Sequence, residues 1–214
     1  MRISSKNCAE ALSLGLALLI AGCASAPPPA PVPAPAATAV PAEPVIPERA
    51  TQQFNQAVAL LQAGKLTDAE LELKQLTLAY PEYPGPYVNL GLLYERAGKF
   101  DEAEKALREA TRHGMPSALT YTELGVVYRQ LGRFKDAESA YGEAIKIDPN
   151  YAAAHLNLGV LCDLYLQQPQ RALESFERYM QLSGNSDKRV ATWIAELKKR
   201  VGSNPQPQTA EASP

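Results

Sequence analysis

A leucine-glycine pair followed three residues later by an apolar ring or a thiol returns every 34 residues, at Leu90-Gly91 with Tyr94, Leu124-Gly125 with Tyr128 and Leu158-Gly159 with Cys162. A fixed period of this length is one supersecondary unit copied along the chain. Further along the copies stand a turn glycine and an aromatic, Gly98-Lys99-Phe100 and Gly132-Arg133-Phe134, then Ala103 and Ala137, then a terminating proline, clearest at Pro149. One helical hairpin cannot bury its own apolar face, so such hairpins stack and share a continuous core. Small residues at fixed places let paired helices approach closely, and Leu, Tyr and Phe fill the gaps left.

The in-phase set Tyr121, Leu124, Gly125, Tyr128, Ala137, Tyr141, Ala144 and Pro149 resembles the tetratricopeptide repeat, whose unit carries aromatic, Leu, Gly, Tyr, Ala, aromatic, Ala and Pro in that order. The resemblance implies an all-α solenoid. Four hairpins begin near Ala50, Pro84, Ala118 and Ala152, and a capping helix follows. The first unit keeps Ala57, Gly64, Ala69 and Pro81 in register but has Gln53 and Gln56 in place of the aromatic and the leucine, as suits a terminal copy facing solvent. In the fourth, His155 takes the aromatic position and Cys162 the tyrosine position. Leu166-Gln167-Gln168-Pro169 there replaces the glycine turn with one extra residue, which places Pro169 in the first turn of the second helix. After Gly184, a helix stop, Val190, Trp193, Ile194, Leu197 and Val201 share one helical face, while Lys198, Lys199 and Arg200 suit the negative end of that helix. The expected folded region is 50–201, with a disordered tail over 202–214.

The amino terminus carries a different message. Arg2 and Lys6 precede an apolar stretch from Ala11 to Ala21, a secretory signal too short to span a membrane. Its ending, Leu19-Ile20-Ala21-Gly22-Cys23, resembles the bacterial lipobox. That resemblance implies that residues 1–22 are removed and that Cys23 becomes the acylated first residue, a membrane anchor. The alternative is an ordinary secretion signal with a chance cysteine. Ala24, where an inner-membrane lipoprotein would carry Asp, implies the outer membrane and its periplasmic face in a two-membrane bacterium, or the outward face of the cytoplasmic membrane in a one-membrane host. Residues 23–49 are dominated by Ala, Pro and Val, a composition that forbids helix and ladder pairing and predicts an extended spacer. At about 3.1 Å per residue it reaches about 80 Å.

Removing residues 1–22 takes away Arg2, Lys6 and Glu10, so the net charge moves from −2 to −3, which offers no footprint for nucleic acid. Cys8 leaves with the signal and Cys23 is acylated, so Cys162 is the one remaining thiol, expected as a small buried hydrophobe. His113 reads as a helix-end residue beside the carbonyl dipole, and His155 as a packing residue. The acidic pairs Asp101-Glu102 and Asp136 with Glu138 lie at starts of second helices, where they favour the positive helix end. No nucleophile elbow, phosphate loop or metal-ligand spacing is present, and no cofactor, metal or small-molecule substrate is expected. The chain reads as a non-enzyme.

Function must then come from a surface. In tetratricopeptide proteins the first helix of each unit lines the inner face of the stack, and the resemblance implies a partner-binding groove there. One row of that face is Asn55, Asn89, Glu123 and Asn157; flanking it are Phe54, Val58, Val88, Leu92, Thr122, Val126, Leu156 and Val160. Glu95, Arg96, Arg129 and Gln130 form a mixed polar rim. An amide row can hold an extended backbone, or can simply reflect what the family often places there. Relatives that clamp a carboxylate put several Lys or Arg at the second, fifth and sixth positions of these helices, and this chain has none there, so the expected partner is an apolar or amphipathic protein segment. The implied role is a membrane-anchored envelope scaffold or adaptor, in pilus or secretin assembly by its pilotin-like layout. Recruitment of peptidoglycan enzymes, or self-assembly as a homo-oligomer, are the alternatives.

Overall fold

The computed structural model describes residues 46–113 and 117–203, and among them nine α-helices follow one another with no strand. Helices α1 (Glu48–Gln62) and α2 (Leu66–Ala79) form the first hairpin, α3 (Pro84–Arg96) and α4 (Phe100–Arg112) the second. The third pairs α5 (Ala118–Gln130) with α6 (Phe134–Ile147), the fourth α7 (Ala152–Leu164) with α8 (Pro169–Leu182), and α9 (Lys188–Ser203) closes the stack. The lipobox, Cys23, residues 24–45 of the spacer and the tail from 204 onward lie outside the described residues.

The recurring glycine is the contact on which each hairpin closes. A Cβ added to Gly91 would meet Leu107 Cδ2 at 2.7 Å, one on Gly125 would meet Tyr141 Cδ1 at 2.6 Å, and one on Gly159 would meet Phe176 Cδ1 at 2.6 Å. In the first hairpin Ala57 stands opposite Leu73 in the same register, and both are fully buried. The four large partners, Leu73, Leu107, Tyr141 and Phe176, are at most 1% exposed and lie in three successive buried clusters, joined by half-buried Tyr128, Leu158 and Leu166. The step from 107 to 141 is one period; that from 141 to 176 is one residue longer, which is the extra residue of the fourth turn.

That turn shows what the insertion does. Gly64, Gly98 and Gly132 adopt φ of 71° to 74° between paired helices, and in the fourth hairpin Gln167 takes φ 53° in their stead. Pro169 then opens α8 at its first position, as its missing N–H and fixed φ permit. A side chain in left-handed backbone costs about 1 kcal/mol. Gln167→Gly is therefore expected to stabilise the domain by about 1 kcal/mol, read as a higher denaturant midpoint at unchanged slope.

Each second helix is tied to the following hairpin by a repeated carboxylate. Glu70 accepts from the Tyr94 hydroxyl at 3.0 Å, Glu104 pairs with Arg133 at 2.8 Å, and Glu138 pairs with Arg171. Tyr94 is buried, whereas Arg133 and Arg171 are exposed, so the two ion pairs fix register more than they add stability. The acidic residues Asp101, Glu102 and Asp136 sit in first turns of α4 and α6 as the helix dipole favours.

Two boundaries move. Helix α1 starts at Glu48, because Pro47 immediately precedes it, its carbonyl accepts from Thr51 N, and Glu48 places a carboxylate at the positive end. Helix α9 runs on through Gly202 to Ser203. The capping face is as expected. Val190 and Leu197 are buried, Ile194 packs beside them, and Trp193 lies against Phe176 with ring centroids 5.5 Å apart. Lys198 pairs with Glu177 at 2.9 Å and Arg200 with Asp163 at 2.7 Å, so these cations serve neighbouring helices as well as their own helix end. No helix among the described residues is long and apolar enough to cross a membrane.

Candidate functional site

Successive first helices touch, α3 against α5 and α5 against α7, whereas successive second helices do not pack together to that degree. Repeats set closer on one side than on the other bend the stack toward that side. The first helices therefore share an inner face.

Each of α3, α5 and α7 presents half-buried apolar side chains there: Val88 and Leu92, Val126, and Leu156 and Val160. Phe54 and Val58 continue the strip on α1, where the Phe54 ring meets Tyr83 at 5.2 Å between centroids. None of these is sealed in the core. A hollow of about 80 Å³ opens between the first two hairpins, lined by Leu61, Leu66, Asn89, Leu92, Leu93 and Arg96. Three of those six, Asn89, Leu92 and Arg96, belong to the rows expected from sequence. Leu61 was legible by the same arithmetic, since it is in register with Glu95 and Arg129. Leu66 stands in register with Phe100 and Phe134 and is 53% exposed, a shorter side chain that leaves the hollow open.

The amide row divides. Asn89 Nδ2 donates to the Gly85 carbonyl at 3.0 Å and Asn157 Nδ2 to the Ala153 carbonyl at 2.9 Å, each one turn back on its own helix. Each amide keeps its carbonyl oxygen and a second N–H for another partner. Asn55, on the terminal helix, is exposed. Glu123 takes the same place on α5, half-buried. Burial pushes its carboxyl pKa up, Glu95 pushes it further, and Arg96 opposes both.

Two expected surface residues turn inward. Thr122 is 1% exposed, and its hydroxyl has no hydrogen-bond partner among the described residues. It belongs to the core. Arg129 is half-buried, its guanidinium 5.8 Å from the centroid of the Tyr165 ring, so it is no free rim charge. Beside it, burial pushes the Tyr141 hydroxyl up to about 12 against the pull of the Arg129 charge. Arg96 is exposed, as a rim position requires.

Cys162 is fully buried, and burial pushes its thiol up. His155 is buried with Nε2 2.9 Å from the Pro149 carbonyl. His113 caps α4, but its ring stacks on Tyr87 and faces Glu82 and Glu109 at 3.3 and 3.4 Å, so carboxylates, not helix carbonyls, are its neighbours. No group of three or more His, Cys, Asp or Glu suited to hold a metal occurs among the described residues.

Known structures repeat this architecture. The MamA protein is 22% identical, with 72% of this chain and 84% of that one aligned at a TM-score of 0.64. PilF of Pseudomonas aeruginosa is 20% identical over 73% of this chain and 70% of its own, with a TM-score of 0.64. YrrB, described as a tetratricopeptide protein with an unusual peptide-binding site, is 18% identical over 73% and 79%, at 0.62. At such identities the likeness is one of fold. No curated protein sequence matches the chain. The tetratricopeptide repeat model matches residues 54–118, 88–152 and 122–187, overlapping windows that each span two hairpins. Period, glycine contacts and these matches agree, and the chain belongs to the tetratricopeptide repeat family.

Proposed function

We propose that this protein is a lipid-anchored scaffold of the bacterial envelope whose inner face binds a segment of another protein. The observation that carries the binding role is the strip Val88, Leu92, Val126, Leu156 and Val160, apolar side chains half-open to solvent on three consecutive first helices. A strip of that kind is stabilised by covering it, and its polar neighbours Asn89 and Asn157 retain groups that bond an extended or helical backbone. The peptide-binding site described for YrrB, on a like fold, supports a polypeptide ligand.

Anchorage rests on Leu19-Ile20-Ala21-Gly22-Cys23, and outer-membrane placement on Ala24. Assembly of a pilus or secretin is the process that fits this layout best, and the fold shared with P. aeruginosa PilF supports it. Replacing Asn89, Leu92 and Val126 together by Ser is expected to weaken partner capture more than tenfold while the helical circular dichroism spectrum stays unchanged. Capture that survives these changes refutes the inner-face reading. Cys23→Ser is expected to abolish incorporation of labelled palmitate and to move the protein out of the membrane pellet; membrane association that persists refutes the anchor.

A further inference from the structure

The charges on the inner face narrow the kind of segment it takes, an inference that rests on the docking reading above. Glu123 lies in one row with Asn89 and Asn157, which flank it on α3 and α7. Among the described residues no hydrogen bond or ion pair reaches its carboxylate; Glu95 repels it and Arg96 attracts it through space. Of the other charges on this face, Asp163 pairs with Arg200 at 2.7 Å and Arg129 lies over Tyr165 at 5.8 Å. The charges that act on Glu123 are one further carboxylate, Glu95, and one guanidinium, Arg96. One turn from each carboxylate stands an apolar side chain, Leu92 before Glu95 and Val126 after Glu123.

We propose that the groove selects an apolar protein segment carrying a Lys or Arg, whose cationic head sits between Glu123 and Glu95 while its neighbours cover Leu92, Val126 and Val160. A half-buried carboxylate gains most from a cation that loses water together with it, through charge-assisted hydrogen bonds. A wholly apolar segment leaves Glu123 covered and unpaired, and a segment with an acidic residue at that point adds a third carboxylate, so both are rejected. The free carbonyl oxygens of the Asn89 and Asn157 amides accept from the backbone of the segment.

The test is selection from a phage-displayed library of random peptides of about a dozen residues on the full chain in detergent. Peptides recovered on the wild type are expected to be enriched in Lys and Arg among apolar residues. A selected peptide, synthesised, is expected to bind Glu123→Gln about tenfold more weakly, an effect of one charge-assisted contact. On Glu123→Lys the enrichment is expected to pass to Asp and Glu, a reversal that a merely structural role does not produce. Circular dichroism establishes that each variant is folded, and Glu123→Gln serves alone if Glu123→Lys is not. Peptides that lose binding on Leu92→Ser with Val126→Ser but show no basic enrichment overturn this inference and leave the groove standing. A library that yields only peptides indifferent to those two changes, or none at all, overturns the groove reading and this inference with it.

Discussion

Gly125→Ala is expected to destabilise the domain by about 3 kcal/mol, the upper part of the range for forcing a methyl group into a filled core. The added carbon would lie 2.6 Å from Tyr141 Cδ1 and closer still to Cε1, and Tyr141 is 0% exposed, so the ring has no solvent to retreat into. Relief must come from moving α5 away from α6, which opens the hairpin that carries Glu123 and Val126. Gly142→Ala on the facing helix is the control. A Cβ there meets nothing within 4 Å, and the helix interior gains about 1 kcal/mol when glycine becomes alanine. Thermal midpoints that move down for the first substitution and up for the second establish that position 125 is a contact between helices and not a mere flexible point.

Phe176→Ala is expected to cost about 4 kcal/mol, the loss of a large buried ring and the cavity it leaves. Phe176 is 1% exposed, fills the space opposite Gly159 and holds Trp193 of α9, so its removal unseats the cap as well as the fourth hairpin. In a stack whose stability is a sum of units and nearest-neighbour interfaces, the damage stays at one end. Amide hydrogen exchange is therefore expected to rise in α7, α8 and α9 while protection persists in α3 and α4. A uniform loss of protection over all hairpins would mean one globule that unfolds as a unit.

The sequence made the solenoid legible because its signals are spacings. Gly91, Gly125 and Gly159 announce close helix approaches, and each approach is present with a large side chain opposite. The inserted residue between Leu166 and Pro169 was readable in the same way; the left-handed Gln167 that accommodates it was not, since glutamine carries no signal for that conformation. The inner face was legible as rows, and less so as environments. Thr122 occupies a row of otherwise half-buried residues and yet is sealed, a difference of packing that a period does not carry. The half-buried Arg129 lies over Tyr165, a residue in the fourth hairpin that no family position marks. Pro47 and Glu48 held the signal for an earlier start of α1, a proline just before the helix and a carboxylate in its first turn, and the register of the copies obscured it.

The most direct measurement of the working face is photo-crosslinking in cells, with the reactive side chain placed at Val126 or Val160 on the inner face and at Lys105 or Ser139 on the exposed outer surface. A discrete adduct of this chain with one other polypeptide from the inner positions, absent from the outer ones, is the predicted result. Adducts that form from Lys105 and Ser139 while Val126 and Val160 stay unmodified contradict it.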